Sequence, residues 1–423
     1  VSYSNIQSTR FFMTQDTRFT SYQIFIIGTL ALLQFAIVLD FMVMSPLSAQ
    51  LMPSLKINPT QFGLVVSAYA FSAGASGLLA AGFADKFDRK RLLLFFMAGF
   101  LIGTLLCGLA PNYPFLLGAR IVTGLFGGVI GSVSFAIITD LFEVQQRGRV
   151  MGFVQMAFAV SQVLGLPVGL YLSNIWDWHA PFLMIVVVAT PLWFVIAMRM
   201  RPVNAHLALQ KKQSAAGHLL ATVSKPFYLR AFAATTLLAT GGFMLMPFGA
   251  AFAVNNLGIG MDDLPVIYLA TGVVSMIAGP LIGKLTDRYS PMPLFLAGTI
   301  LSIVLVLVYT HLGITPLWAL IVLNAVLFVG ITARMISSST LVTSVPTTAD
   351  RGAFMGVNSS VAQISGGIAS ATAGLIIHQT ESGMLENYPL LGWVVATSMV
   401  ICALLFWGIT KAVRKRDRAL AKG

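Results

Sequence analysis

The chain has 423 residues, of which 57% are hydrophobic and only 9% charged, with a formal charge of +12. Soluble domains carry about 25% charged residues, so the composition excludes a water-soluble enzyme or binding module. The excess of Lys and Arg would suit nucleic acid, but it is distributed as membrane topology requires.

Residues 1–21 are polar and read as an N-terminal tail. Twelve apolar runs follow, at 22–47, 61–83, 92–110, 114–139, 149–172, 181–199, 229–254, 264–284, 293–311, 316–340, 353–377 and 390–410. A helix needs about 20 apolar residues to cross the hydrocarbon. The runs are too long for barrel strands and lack their alternation. The expected fold is therefore an all-α integral membrane protein with twelve transmembrane helices in two six-helix bundles. The bundles span 22–200 and 229–410, joined by a polar linker over 201–228 and followed by a basic tail over 411–423. The first run is too long for a signal-peptide core and lacks a convincing small-residue cleavage site after it, so it is expected to be a span. Short loops make successive helices antiparallel neighbours.

Basic residues crowd one set of loops: Lys86, Arg89, Lys90, Arg147, Lys225, Arg288, Arg351 and the tail cluster from Lys411 to Lys422. The opposite loops hold Lys56 as their one basic residue, beside Asp177, Asp262, Asp263, Glu381 and Glu386. By the positive-inside rule both termini lie in the cytoplasm, and the expected location is an inner (plasma) membrane. The basic tail is expected to rest on anionic lipid.

The chain repeats itself. Asp40-Phe41-Met42-Val43-Met44 returns as Gly242-Phe243-Met244-Leu245-Met246. Asp85-Lys86-Phe87 returns as Asp287-Arg288-Tyr289, and Arg147-Gly148-Arg149-Val150-Met151-Gly152 as Arg351-Gly352-Ala353-Phe354-Met355-Gly356. Duplicated membrane bundles are the build of a secondary transporter, with the substrate path between the halves. At one place the copies differ in charge: Asp40 is answered by Gly242.

Four segments carry a resemblance. Ala81-Gly82-Phe83-Ala84-Asp85-Lys86-Phe87-Asp88-Arg89-Lys90 is similar to the loop signature of the major facilitator superfamily, G-x-x-x-D-R/K-x-G-R-R/K, with Ala81 and Asp88 in place of glycines. Arg120-Ile121-Val122-Thr123-Gly124-Leu125-Phe126-Gly127 resembles that superfamily's R-x-x-x-G-x-x-G element, found especially in proton-coupled members. Gly165-Leu166-Pro167-Val168-Gly169-Leu170 looks like a degraded antiporter signature, with Leu166 inserted and Leu170 for the last glycine. Asp40 with Pro46 resembles the first-span element of drug:proton antiporters. The resemblance implies a rocker-switch exporter of the drug:proton antiporter and sugar-efflux branch. It would work as a monomer on a small-molecule substrate, with no cofactor beyond the proton gradient as coupling ion.

Residue roles follow from cost and chemistry. Charges inside spans are expensive and normally face protein or a water-filled cavity. A carboxylate in low dielectric favours its protonated form, and a neighbouring guanidinium favours the charged form. Asp40 and Arg120 both fall in the outer half, so Asp40 is the expected proton carrier and Arg120 its tuner. Arg334 matches Ile130 in the repeat and stays protonated. It is expected either to face the cavity and meet a carboxylate or phosphate on the substrate, or to pair with backbone carbonyls. Further candidate cavity groups are Gln34, Tyr69, Gln155, Gln162, Tyr268, Asn324, Asn358 and Gln363, although polar side chains in spans often serve only helix contacts. Asp85, Lys86, Arg89, Lys90 and Asp140, with Asp287 and Arg288 in the second half, form an expected cytoplasmic latch that favours the outward-open state. Gly124, Gly165, Pro167 and Gly169 are the expected packing and hinge positions.

Other functions find little support. There is no Ser/His/Asp set and no metal-ligand cluster, and Cys107 and Cys402 both lie in spans as packing residues. A channel does not need duplicated halves and a latch. Within transport, two span arginines against one aspartate leave open an organic anion, a zwitterion, a sugar or a lipid-like metabolite, carried with protons or by uniport.

Overall fold

The computed structural model describes residues 19–204, 207, 224–347 and 350–420. Helix α1 (Ser21–Val43) opens on a capping box: Thr20 accepts from the Gln23 amide, and the Gln23 side chain accepts from the Thr20 amide. The first apolar run does not continue as one helix. It breaks after Val43 around Pro46, which has no amide hydrogen to give, and resumes as the short α2 (Ser48–Leu55). Helix α3 (Pro59–Phe83) has Asn58 as its cap and a proline in the first turn. Helices α4 (Arg89–Cys107) and α5 (Tyr113–Leu141) follow.

The fifth span is interrupted. Helix α6 (Val144–Val160) passes through a π-helical turn, Ser161–Gly165, into α7 (Leu166–Ile175). The wide turn lies immediately ahead of Pro167, whose ring displaces the carbonyl one turn back. Helix α8 (Ala180–Arg199) completes the first bundle. The second comprises α9 (Pro226–Phe243), the short α10 (Gly249–Asn255), α11 (Leu264–Arg288), α12 (Pro291–Thr310), α13 (Leu317–Thr343), α14 (Arg351–Ile376) and α15 (Tyr388–Leu420).

Two boundaries and one loop depart from the sequence reading. Helix α9 starts inside the expected linker, because Pro226 is pre-set for a first helical turn. Helix α15 runs on through the expected tail, and Arg416 donates to the carbonyls of Ser344 and Val345 at the end of α13, where a cation is favoured. Between α14 and α15 a small antiparallel ribbon pairs β1 (His378–Gln379) with β2 (Leu385–Glu386), a local exception to the all-helical expectation.

Eleven described helices are long and apolar enough to cross a membrane. Helix α14 is equally long, with 26 residues, but its glycines, serines and amides make it too polar to be counted among them. Its polarity is spent on α3. A Cβ on Gly63 would stand 2.7 Å from the Ser370 carbonyl oxygen, and one on Gly374 2.6 Å from that of Pro59. Across this seam Thr60 donates to the Gly374 carbonyl at 2.8 Å and Ser67 to that of Gly367 at 2.7 Å. Small residues let two backbones meet, and the hydroxyls then find carbonyls on the other helix.

The halves are closed at one face. Beside the start of the α3–α14 seam, the Ala251 amide donates to Ser48 Oγ at 3.1 Å, and Ser45 Oγ donates to the Met246 carbonyl. Gln50 donates to Asn174, whose amide in turn donates to Asp262 of the second half at 3.2 Å. At the opposite, Lys/Arg-rich face Arg89 pairs with Asp140 in the first half and Lys225 with Asp350 in the second.

Asn174→Leu removes the central member of the closed-face bridge. Ser48 is fully buried at this seam, so a Ser48→Cys reporter is expected to resist a membrane-impermeant maleimide. With Asn174→Leu added, labelling should rise severalfold. Equal labelling of the two proteins would assign closure to the helix seam alone.

Candidate functional site

The most polar buried constellation lies in the first bundle, and glycines assemble it. A Cβ on Gly124 would stand 2.4 Å from the Tyr69 carbonyl oxygen, and one on Gly103 2.7 Å from the Thr123 amide. Helix α5 therefore lies against the backbones of both α3 and α4, and its Arg120 points at α1. There Arg120 Nη1 meets Asp40 Oδ2 at 2.8 Å, with both side chains fully buried. Thr104 Oγ1 of α4 donates to Asp40 Oδ1 at 3.1 Å. The Tyr69 ring covers the guanidinium at 4.5 Å. Phe41 then links Tyr69, at 5.7 Å between ring centroids, to Phe243 of the second half at 5.5 Å.

A buried ion pair is weak evidence of stability. Each ion loses several kcal/mol of hydration, and a well-packed apolar pair of the same size often does as well. What the arrangement offers is chemistry. Both oxygens of Asp40 are held as acceptors, and neutralising the carboxylate would weaken its charge-assisted contact with Arg120.

The structure joins Asp40, Arg120 and Tyr69 and disperses the other candidates. Gln34, Tyr268 and Gln363 are half-buried on α1, α11 and α14, and Gln155 is exposed on α6. Asn324 donates to the Leu320 carbonyl of its own helix, and Asn358 accepts from Thr235 at 2.7 Å. Gln162 sits in the π turn, where its backbone meets Gly272 of α11. Gly165 lies against Leu39, while Gly169 makes ordinary contact with Pro181 and Val43. Arg334 is buried in the second bundle. Sequence reasoning missed Thr104, Ser48, Gln50 and Asn174, because a small polar residue in an apolar helix carries no contrast.

At the Lys/Arg-rich face Arg89 is buried, donating to Asp140 at 3.3 Å and to the Ala84 carbonyl at 3.0 Å. Lys90 donates to the Ala197 carbonyl at 2.8 Å. Lys86 and Arg288 are exposed, and the side chains of Asp85 and Asp287 lie outside the described residues. Asp88, one of the two departures from the loop signature, caps α4 by accepting from the Arg91 amide at 3.0 Å. In the second half Asp350 accepts from Lys225, from Tyr228 at 2.7 Å and from Thr347 at 3.0 Å.

The Lys225 ammonium, aided by these hydroxyls, holds the Asp350 carboxyl well below the usual carboxylate range. A depressed carboxylate stabilises the fold fully above its unfolded value of about 3.9 and loses that contribution as pH falls below it. Asp350→Asn should therefore lower the melting temperature at pH 7, with the gap narrowing below about pH 4. A gap that ignores pH would assign the loss to packing.

These features define a multi-pass membrane transporter built from two related bundles. The model of the Major Facilitator Superfamily matches residues 30–370, with a second match over 231–422. The chain belongs to that superfamily, whose members are transporters and not enzymes. It is 27% identical over 372 residues to the multidrug efflux pump LfrA of Mycolicibacterium smegmatis, covering 74% of this chain and 71% of that protein. It is 26% identical over 268 residues to the uncharacterized MFS-type transporter YceJ of Bacillus subtilis, covering 63% and 68%. Among solved structures, a D-xylose–proton symporter superimposes with a TM-score of 0.74 at 15% identity, over 92% of this chain and 98% of that one.

Proposed function

We propose that this protein is a proton-coupled exporter of small amphipathic compounds, working as a monomer in an inner membrane with its Lys/Arg-rich face in the cytoplasm. The observation that carries this reading is the fully buried Asp40–Arg120 pair. Asp40 is the one carboxylate in the interior of any predicted span. Similarity to the multidrug efflux pump LfrA supports export of drug-like compounds. The positive-inside pattern supports the orientation.

In the conformation closed at the outer face, Asp40 is ionised and held by Arg120 and Thr104. Opening to the outside admits a proton, which neutralises Asp40 and frees the guanidinium. Substrate and proton then bias the same inward–outward equilibrium in opposite directions. The test is proton release from purified protein in weak buffer on addition of amphipathic cations, neutral compounds and anions in turn. Release expected on substrate binding supports antiport and reports the substrate class. Binding without release would sink the coupling and return Asp40 to a structural role.

A further inference from the structure

Arg334 is the second guanidinium buried within the spans, and its own bundle does not neutralise it. It leaves α13 toward α9, α12 and α15 and is 5% exposed. The Phe295 ring lies 5.8 Å from it, a Cβ on Gly241 would stand 3.7 Å from Nη1, and the Cys402 thiol is within its reach. Among the described residues Nε and Nη2 have no acceptor. Those two nitrogens form one edge of the guanidinium fork, the edge that grips an anion with two parallel bonds. Two hydroxyls nearby are also buried without partners. They are Ser337, one turn further along α13, and Ser302 of α12, which faces Gly330 one turn before Arg334.

The helices around Arg334 offer no counter-charge. Helices α9 to α15 carry Asp287 at the end of α11 and Asp417 in the last turn of α15, and no other Asp or Glu. The first bundle answers its buried arginine with Asp40 on α1. The repeat carries Asp40 onto Gly242 of α9, beside the Gly241 that Arg334 touches. Arg334 and Arg120 are not repeat partners, since Arg334 matches Ile130, but each half buries one arginine and only the first buries a carboxylate with it. An uncompensated guanidinium in the low-dielectric interior is costly.

We propose that Arg334 holds a small monovalent inorganic anion of halide size, seated among α9, α12, α13 and α15 where the first half has a carboxylate. The ion is small because Arg334 is buried, with the Phe295 ring and the Gly241 backbone on its flanks. Its role is that of a resident counter-ion, separate from the proton site at Asp40.

The experiment is thermal unfolding of the purified full-length protein in detergent, at matched ionic strength, in sodium chloride, bromide or nitrate against sodium gluconate. The parent should show a saturating upward shift with the three small anions. Gly241→Asp supplies a carboxylate beside Nη1. It should lose the shift and melt in gluconate at or above the parent. Arg334→Gln should lose the shift as well. Asp40→Asn should keep it in full, so this site and the proton site fail separately. No shift in the parent, or one of equal size in all variants, overturns the proposal. If the Gly241 and Arg334 variants do not fold, equilibrium binding of radioactive chloride to the parent decides. One saturable site per chain competed by bromide supports the proposal, and no saturable site ends it.

Discussion

Asp40→Asn is expected to abolish transport driven by a pH gradient while leaving the fold intact. The amide has the carboxylate's shape, and its carbonyl oxygen still accepts a hydrogen bond, but it cannot take up and give up a proton. In vesicles, gradient-driven movement of substrate should fall to the level of empty vesicles. Exchange of substrate at equal pH on both sides should persist, because that mode needs the conformational cycle and not the proton. Losing both modes together would mean the variant is misfolded or cannot bind substrate. Gradient-driven transport at the parent rate would remove Asp40 from the coupling.

Arg120→Met is expected to be the most damaging single change to stability. It leaves Asp40 buried with Thr104 as its remaining donor, and breaking one side of a buried ion pair costs about 3–5 kcal/mol. Protonation of Asp40 limits the loss, so the deficit should be smaller at low pH. Combining Asp40→Asn with Arg120→Met removes both charges and should recover much of the deficit, as a double-mutant cycle between contacting residues requires. Unfolding midpoints of the four proteins, measured in detergent at neutral pH, give the cycle. A double variant as unstable as the sum of the singles would show that the two groups do not interact.

What could be read from the chain follows a simple contrast. Asp40, Arg120 and Arg334 are charges in apolar runs and stand out by their cost, and the repeat placed them in equivalent halves. Their surroundings were hidden. Thr104 differs little from its apolar neighbours until α4 is folded against α5, and Tyr69, named only as one of several polar span residues, gains its partner when α3 is. The partners of Arg334 come from three other helices, so no spacing announces them. Asp88 looked like a flaw in a loop signature and is a helix cap. The end of α1 was blurred because composition does not feel the missing amide of Pro46. The closure at the face opposite the Lys/Arg-rich one escaped notice because Gln50, Asn174 and Asp262 meet across distant segments.

The α3–α14 seam bears on how the protein is made. Helix α14 has spent its surface on glycines, serines and amides that suit another helix and not lipid. A segment of that kind gains little from hydrocarbon on its own. It therefore depends on a companion already in the bilayer, and that companion, α3, is synthesised some three hundred residues earlier. Entry of the eleventh span into the membrane is therefore expected to depend on the first bundle, with the bond between the halves as its template.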